Sequence, residues 1–112
     1  MEFTVETIGE VCVISIKVNK LDAANAKEFK ADITPLFTNR QRLILDLGNL
    51  GFIDSSGLGA ILSCLKLVTG QQGELKLCNL TKAARILFEL VRMHKVFEIF
   101  NTREEAVASF RK

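Results

Sequence analysis

Residues 43–62 read LILDLGNLGFIDSSGLGAIL and pass from a predicted strand, through a loop, into a predicted helix. The first five residues are apolar except for Asp46, a pattern typical of a short buried strand. Leu58 and Ile61 then begin a run of apolar residues with helical spacing, and Gly70 is a typical stop signal for that helix. The segment therefore predicts a strand, a loop and a helix in succession, which is the repeating unit of a parallel α/β sheet.

The residues before this segment predict a hairpin and one helix. Residues 3–7 alternate in polarity and residues 11–16 are apolar at nearly every position, which indicates an antiparallel pair whose second strand is buried. From Ala23 onward the apolar spacing is helical. Asp22 is the expected N-cap of this helix, and Pro35 is expected to kink or end it.

The residues after the quoted segment predict another strand and a third helix. Leu75 and Leu77 mark the strand, and Thr81 is expected to open the helix. The apolar face predicted for this third helix consists of Ala83, Ile86, Leu87, Leu90 and Val91. We expect that face to pack against the sheet.

A capping box identifies the last predicted helix. It is formed by Thr102 and Glu105, which follow a short strand expected at residues 97–100. The residues that this helix is expected to bury are Ala106, Val107 and Phe110. The whole order predicts a single α/β domain over residues 1–112, with a mixed, mostly parallel sheet of about five strands that opens with an antiparallel hairpin, and about four helices.

Composition and charge restrict the class of function. The chain has 112 residues, 48% of them hydrophobic and 25% charged, and its formal net charge is only +2. This near-neutral balance argues against bulk binding to nucleic acid. The longest stretch without a charged residue runs from Ser55 to Leu65, too short for a membrane span, and the first ten residues lack the basic start of a signal peptide. We therefore expect a cytoplasmic protein.

The three cysteines are predicted to be reduced thiols in the core. Cys12, Cys64 and Cys78 are odd in number, lie in apolar stretches and form no C-x-x-C pair. This pattern is typical neither of a disulfide framework nor of a zinc site, so we expect no metal site.

The end of the 43–62 loop is the most informative place for function. Ser55 or Ser56 is the expected N-cap of the following helix, while Gly57 and Gly59 leave its first turn almost bare of side chains. A bare first turn exposes N–H groups at the carboxyl edge of a strand, where open α/β sheets usually bind ligands and partners. The same residues also suit a helix start with no further role, and the pattern leaves both interpretations open.

Two enzymatic interpretations of this segment lack the residues that they need. A serine hydrolase needs a base, but the one histidine, His94, is expected in a distant surface turn, and Ser55 lacks the flanking glycines of a G-x-S-x-G elbow. A P-loop needs Lys followed by Ser or Thr after the glycines, where this chain has Ala60 and Ile61. Both interpretations are therefore set aside.

Two other groups of polar residues carry weaker signals. Asp46 and Asp54 suggest a magnesium pair, but a receiver-type site also needs a Lys near the end of a later strand, and Lys76 lies in mid-strand. Charged residues of mixed sign share one face of the third helix, which favours a solvated face over a docking patch. These residues are Lys82, Arg85, Glu89 and Arg92.

The loop and helix with the two serines resemble the STAS domain of bacterial anti-sigma factor antagonists. The resemblance rests on LDAAN at residues 21–25, LILDL at 43–47 and FIDSSGLGAIL at 52–62, and VFEIF at 96–100 and EEAV at 104–107 extend it over almost the whole chain. It implies a STAS fold in a regulatory protein that has no catalytic activity and no cofactor of its own.

The resemblance also implies a phosphorylation switch at Ser55. In that family, the serine directly after the Asp of D-S-[ST]-G-L is phosphorylated by a partner that is both a serine kinase and an anti-sigma factor. The unphosphorylated protein binds this kinase and frees a sigma factor, phosphorylation blocks the binding, and a serine phosphatase restores it. The residues expected to form the partner-binding site are Asp22, Ala23, Asn25, Asp54, Ser56, Gly57, Leu58 and Gly59.

Two alternatives from other classes stay open. A STAS domain can be a docking subunit of a larger assembly, such as a stress-sensing or lipid-transport complex, without any control of a sigma factor. The glycine-rich turn can also belong to a small enzyme or a nucleotide-binding domain. Copurification with a large assembly would favour the first alternative, and nucleotide binding that requires Gly57 or Gly59 would favour the second.

Overall fold

A five-stranded mixed sheet lies at the centre of the computed structural model, which describes residues 1–111. In chain order the strands are β1 (Phe3–Ile8), β2 (Val11–Ile16), β3 (Lys20–Leu21), β4 (Arg42–Asp46), β5 (Phe52–Ile53), β6 (Glu74–Cys78) and β7 (Ile99–Phe100). The central sheet has the order β1-β2-β4-β6-β7, with β1 antiparallel to β2 and the other neighbours parallel. The remaining two strands, β3 and β5, form a separate parallel pair.

Four α-helices within residues 1–111 cover the two faces of the central sheet. They are α1 (Ala26–Ile33), α2 (Ser55–Gly70), α3 (Lys82–Leu90) and α4 (Arg103–Ser109). Ile14 and Leu45 share a core cluster with residues of α1, α2 and α3, whereas Val13 and Ile44 share one with residues of α4. Because helices cover both faces, every residue of β2 is buried. The architecture confirms the predicted fold class, and none of these helices is long and apolar enough to cross a lipid bilayer.

The strongest local signals in the sequence are confirmed. The Thr81 hydroxyl accepts a hydrogen bond from a first-turn N–H and caps α3, as predicted. Thr102 and Glu105 form the predicted capping box at the start of α4. α1 ends at Ile33, two residues before Pro35, and the chain continues as a 3-10 helix over Thr34–Phe37, as expected for a proline that ends a helix.

The predicted start of the first helix is wrong. α1 begins at Ala26 rather than Ala23, and its N-cap is Asn25 rather than Asp22. Residues 22–25 form a turn in which the backbone N–H of Ala26 donates to the Asp22 carbonyl at 2.9 Å. The polar side chains of this turn are used within it, which leaves the helix to begin later.

The apolar face predicted for α3 is also wrong. The buried residues are Ala84 and Phe88, and Phe88 packs against Phe97 with ring centroids 6.2 Å apart. Of the predicted face, Leu87 is partly buried, while Ala83, Ile86, Leu90 and Val91 are exposed. The helix carries apolar residues on two faces, and the face with the larger aromatic ring fills the core. Phe97 is thereby drawn into the core, and the last strand is shorter than predicted, with only Ile99 and Phe100.

The three cysteines are buried free thiols, as predicted. Burial raises the pKa of Cys64 and of Cys78 to about 12. Burial also raises the pKa of Cys12, although the guanidinium of Arg40 acts in the opposite direction. His94 lies exposed in a 3-10 turn, where the sequence places it.

Candidate partner-binding site

The pairing of β3 with β5 joins two loops that are distant in the sequence. Leu21 lies opposite Ile53, and the backbone N–H of Asp54 donates to the Leu21 carbonyl at 3.3 Å. This pairing places the turn at residues 22–25 beside the start of α2. Strands of two residues have no alternation to detect, so the sequence-based prediction does not contain this small sheet.

Asp54 is the residue that fixes the geometry of the site. Its Oδ1 accepts a hydrogen bond from the backbone N–H of Gly57 at 2.9 Å, which makes Asp54 the N-cap of α2. Its Oδ2 accepts a hydrogen bond from the backbone N–H of Ala23 at 3.1 Å. The prediction that Ser55 or Ser56 caps the helix is therefore wrong, because the preceding carboxylate occupies that role.

The turn at residues 22–25 is held by its own polar side chains. Asp22 Oδ1 accepts a hydrogen bond from the backbone N–H of Ala24 at 3.0 Å. Asn25 Oδ1 accepts one from the backbone N–H of Asp22 at 2.9 Å, and Asn25 Nδ2 donates to the Lys20 carbonyl at 3.0 Å. The side chains of Asp22 and Asn25 make hydrogen bonds within the turn. The exposed residues of the turn are Ala23 and Ala24.

Ser55 and Ser56 are the exposed residues at the start of α2. Ser55 is the first helical residue and directly follows the Asp54 carboxylate. Because both residues are exposed, both serines are accessible for binding or for modification. A negative charge at this position would lie at the positive end of the helix dipole.

The three residues that follow the serines have different environments. Gly57 is buried, and a Cβ atom there would lie 2.2 Å from the carbonyl oxygen of Leu21. Leu58 is 9% exposed and belongs to the core. Gly59 is exposed, and a Cβ atom there would extend into open space. Of these three predicted site residues, Gly57 and Leu58 are therefore buried, and Gly59 lies at the surface.

Phe52 is an exposed residue of this region that was not among the predicted site residues. Its side chain is 55% exposed, although it lies on β5 immediately before buried Ile53. The residue stands two positions before Asp54 and opposite Lys20 in the small sheet. The sequence signal for Phe52 was its position as an apolar residue two places before Asp54. A residue buried in the core fits that pattern equally well, so the sequence did not identify Phe52 as exposed.

The second aspartate considered for a magnesium site is used elsewhere. Asp46 Oδ2 accepts a hydrogen bond from the Arg103 guanidinium at 3.1 Å, and its Oδ1 accepts one from the backbone N–H of Gly48 at 2.9 Å. Lys76 is buried and donates to the hydroxyl of Ser109 at 2.7 Å. No cluster of His, Cys, Asp and Glu in the described part of the chain has a geometry that would hold a metal ion.

Comparison with known proteins defines the family. The STAS domain family matches residues 2–106, so the chain belongs to the STAS domain family. BtrV of Bordetella bronchiseptica, named as an anti-sigma factor antagonist, is 32% identical over 112 residues, which cover 99% of this chain and 96% of that protein. The anti-sigma-B factor antagonist of Bacillus subtilis is 30% identical over 95 residues, with 82% and 87% coverage.

The fold comparison gives the same class of protein. The crystal structure of an anti-sigma factor antagonist from Thermotoga maritima superposes with a TM-score of 0.85 at 25% identity, covering 98% of this chain and 95% of that chain. The relatives are therefore of similar length and the same architecture, and the predicted resemblance to the STAS family is confirmed.

Proposed function

We propose that this chain is an anti-sigma factor antagonist that works by partner switching. Its unphosphorylated form binds a serine kinase that is also an anti-sigma factor, and this binding releases a sigma factor. Phosphorylation of Ser55 by that kinase blocks the binding, and a serine phosphatase restores it. The observation that carries the proposal is the exposed Ser55 at the first position of α2, in a family whose similar members are named anti-sigma factor antagonists.

The partner-binding surface in this proposal combines the two loops joined by Asp54. Ala23 of the 22–25 turn is held by the Asp54 carboxylate, and Ser55 and Ser56 follow that carboxylate directly. Gly59 lies one turn further along α2 and leaves room for close approach by a partner. Asp22 and Asn25 contribute by holding the shape of the turn.

A phosphate on Ser55 would act on the partner rather than on the fold. Phosphoserine carries about −1.5 to −2 charges and would stand beside the Asp54 carboxylate, on the same rim as Asp22. The helix dipole favours that charge, so α2 is expected to remain folded. Bulk and like-charge repulsion at the interface can cost several kcal/mol, and each ~1.4 kcal/mol is a tenfold loss of affinity.

In this proposal the chain is a substrate and a binding partner, and it contributes no catalytic group. The Ser55 hydroxyl accepts the phosphoryl group, while the kinase supplies ATP binding and the catalytic base. Within residues 1–111 the one histidine, His94, lies in the turn after α3, so it offers no base beside Ser55.

A capture experiment with charge variants tests the proposal. Wild type, Ser55→Ala, Ser55→Asp and Ser56→Asp are used as baits in a lysate of the native host, and the retained proteins are identified by mass spectrometry. We expect wild type and Ser55→Ala to retain one kinase-like protein that Ser55→Asp does not retain. Ser56→Asp is the matched control, because it adds the same charge at the neighbouring exposed position. It is expected to retain the partner more strongly than Ser55→Asp does.

The captured kinase then allows a direct test of the modification. Incubation of the purified pair with ATP is expected to place one phosphate on Ser55 of the wild type and none on Ser55→Ala. Equal capture of the same proteins by all four baits would contradict the switch. Retention of a large assembly regardless of the bait would instead indicate a docking subunit.

A further inference from the structure

Helix α3 carries an apolar stripe on its solvent side. The stripe consists of Ala83, Ile86 and Leu90, all of them exposed, with Ile86 at 56% and Leu90 at 77%. The residues are spaced by three and then four positions, which is the spacing of a coiled-coil seam. Within residues 1–111, nothing covers this stripe.

The stripe is not needed for the packing of α3 within its own chain. Ala84 and Phe88 face the core from the other side of the helix, where Phe88 contacts Phe97. α3 therefore has one apolar face that stabilises the fold and a second apolar face in water. A contiguous exposed apolar patch of this kind is typical of an interaction surface.

The charges beside the stripe indicate which surface would fit it. Lys82 and Glu89 are seven residues apart, so they lie on the same flank of the stripe at its two ends. Neither forms an ion pair within residues 1–111. Arg85 lies between them and donates a hydrogen bond to Oδ1 of Asn101 at 3.1 Å, so it already has a partner within the chain. A fitting surface should thus present an acidic group opposite Lys82 and a basic group opposite Glu89.

We propose that the occupant of this stripe is α3 of a second copy of the chain, packed antiparallel about a twofold axis level with Ile86. Residues advance by about 1.5 Å each along a helix, so the axis brings Leu90 to within about one residue of Ala83 of the second copy. The same operation brings Glu89 to within about one residue of Lys82 of the second copy, on the same flank of the contact.

This arrangement is complementary in both shape and charge. Large Leu90 packs over small Ala83 at both ends, Ile86 meets its symmetry mate in the middle, and two Lys82–Glu89 pairs flank the seam. In a parallel pairing, the twofold axis would place Lys82 and Glu89 of the second copy on the opposite flank of the seam, so no Lys82–Glu89 pair would form. A helix of nine residues is only about 13 Å long. The surface area buried between two such helices is below ~1,200 Å², the lower limit of standard interfaces, so we expect a weak and reversible dimer.

Sedimentation equilibrium of the purified chain tests the proposal, which does not depend on any role of Ser55. Samples from about 20 µM to about 1 mM bracket the affinity range of small interfaces. We expect the apparent mass to rise with concentration from the monomer value of 12.5 kDa. Leu90→Ser should remove the rise, while Leu67→Ser, at an exposed leucine of α2, should leave it unchanged.

A charge reversal with rescue tests the antiparallel geometry. Glu89→Lys places Lys opposite Lys82 at both ends and should weaken the dimer roughly tenfold, as two exposed ion pairs become repulsive. The double variant with Lys82→Glu and Glu89→Lys should restore wild-type association.

Three results would overturn the proposal. They are a monomer throughout the concentration range, association that survives Leu90→Ser, and a double variant as weak as the single one. Binding of a monomeric chain to phosphatidylglycerol vesicles, lost in Leu90→Ser, would assign the stripe to a lipid surface instead.

Discussion

The Asp54 carboxylate bridges the start of α2 and the 22–25 turn, with Oδ1 on the N–H of Gly57 at 2.9 Å and Oδ2 on the N–H of Ala23 at 3.1 Å. The bridge spans 31 positions of sequence and uses both oxygens of one side chain. One residue therefore caps the helix that begins at Ser55 and positions the neighbouring loop. The surface proposed to meet the partner depends on this carboxylate together with the pairing of β3 with β5.

Substitution of Asp54 should separate its two roles. Asp54→Ala removes the cap and the bridge and is expected to lower the free energy of unfolding by about 1–2 kcal/mol. Asp54→Asn keeps one oxygen for the cap but presents an amide donor to the N–H of Ala23. The free energy of unfolding should therefore fall less than in Asp54→Ala, while the 22–25 turn should still move. Urea denaturation measures the stability, and amide chemical shifts report the turn. Unchanged shifts at Ala23 in Asp54→Asn would contradict the bridge.

Two glycines in the first turns of α2 should respond in opposite ways to alanine. Gly57→Ala puts a Cβ atom 2.2 Å from the Leu21 carbonyl oxygen and is expected to cost more than about 2 kcal/mol. Gly59→Ala meets open space and should stabilise the helix by about 0.5–1 kcal/mol, because alanine is the better helix former. Thermal and urea unfolding of the pair provide the comparison. Equal effects at both positions would show that the contact with Leu21 does not constrain the helix.

Negative charge at Ser55 should leave α2 folded. Ser55→Asp places a carboxylate at the first helical position, where the dipole stabilises it by about 0.3–1 kcal/mol. Circular dichroism and backbone chemical shifts of Ser55→Asp, and of the phosphorylated protein, are therefore expected to match the wild type beyond the first turn. Loss of helical shifts between Ala60 and Val68 would contradict the view that the phosphate acts only on the partner.

The buried thiols predict a loss of stability at alkaline pH. Cys64 and Cys78 have pKa values of about 12 in the fold, against 9.0 for an ordinary thiol. Between pH 9 and 12 the unfolded chain therefore releases thiol protons that the folded chain retains, and the free energy of unfolding falls as the pH rises. Below pH 9 the stabilising contribution is fully present. The Cys64→Ala variant should show a shallower decline in urea titrations across this range, and an identical slope would exclude the thiol as a cause.

Short, local signals in the sequence predicted structure well. The cap at Thr81 and the capping box of Thr102 and Glu105 each depend on a side chain and an N–H group within one turn, so their sequence spacing is sufficient. β2 and β4 of the central sheet were recognisable because their apolar runs are long enough to be distinct from loops.

Features that depend on distant contacts were not predictable in the same way. Gly57 and Gly59 look equivalent in the sequence, and they are distinguished by contacts of Gly57 with the carbonyl of Leu21 and the side chain of Ile53. The face of α3 was misassigned because the helix has apolar residues on two sides, and the choice between them depends on the contact of Phe88 with Phe97. The serine segment was located correctly, but its cap was not, since Asp, Ser and Ser in succession are all good capping residues.

The small sheet of β3 and β5 fixes the position of the 22–25 turn through backbone pairing, so this position does not depend on which side chains the turn exposes. The turn is set by backbone pairing and by Asp22 and Asn25, while Ala23 and Ala24 are fixed only through their N–H groups. Substitutions at those two alanines can therefore change the surface offered to a partner without displacing Ser55. If the proposed switch holds, changes at these two alanines alone would alter which kinase binds while the proposed phosphate acceptor, Ser55, stays in place.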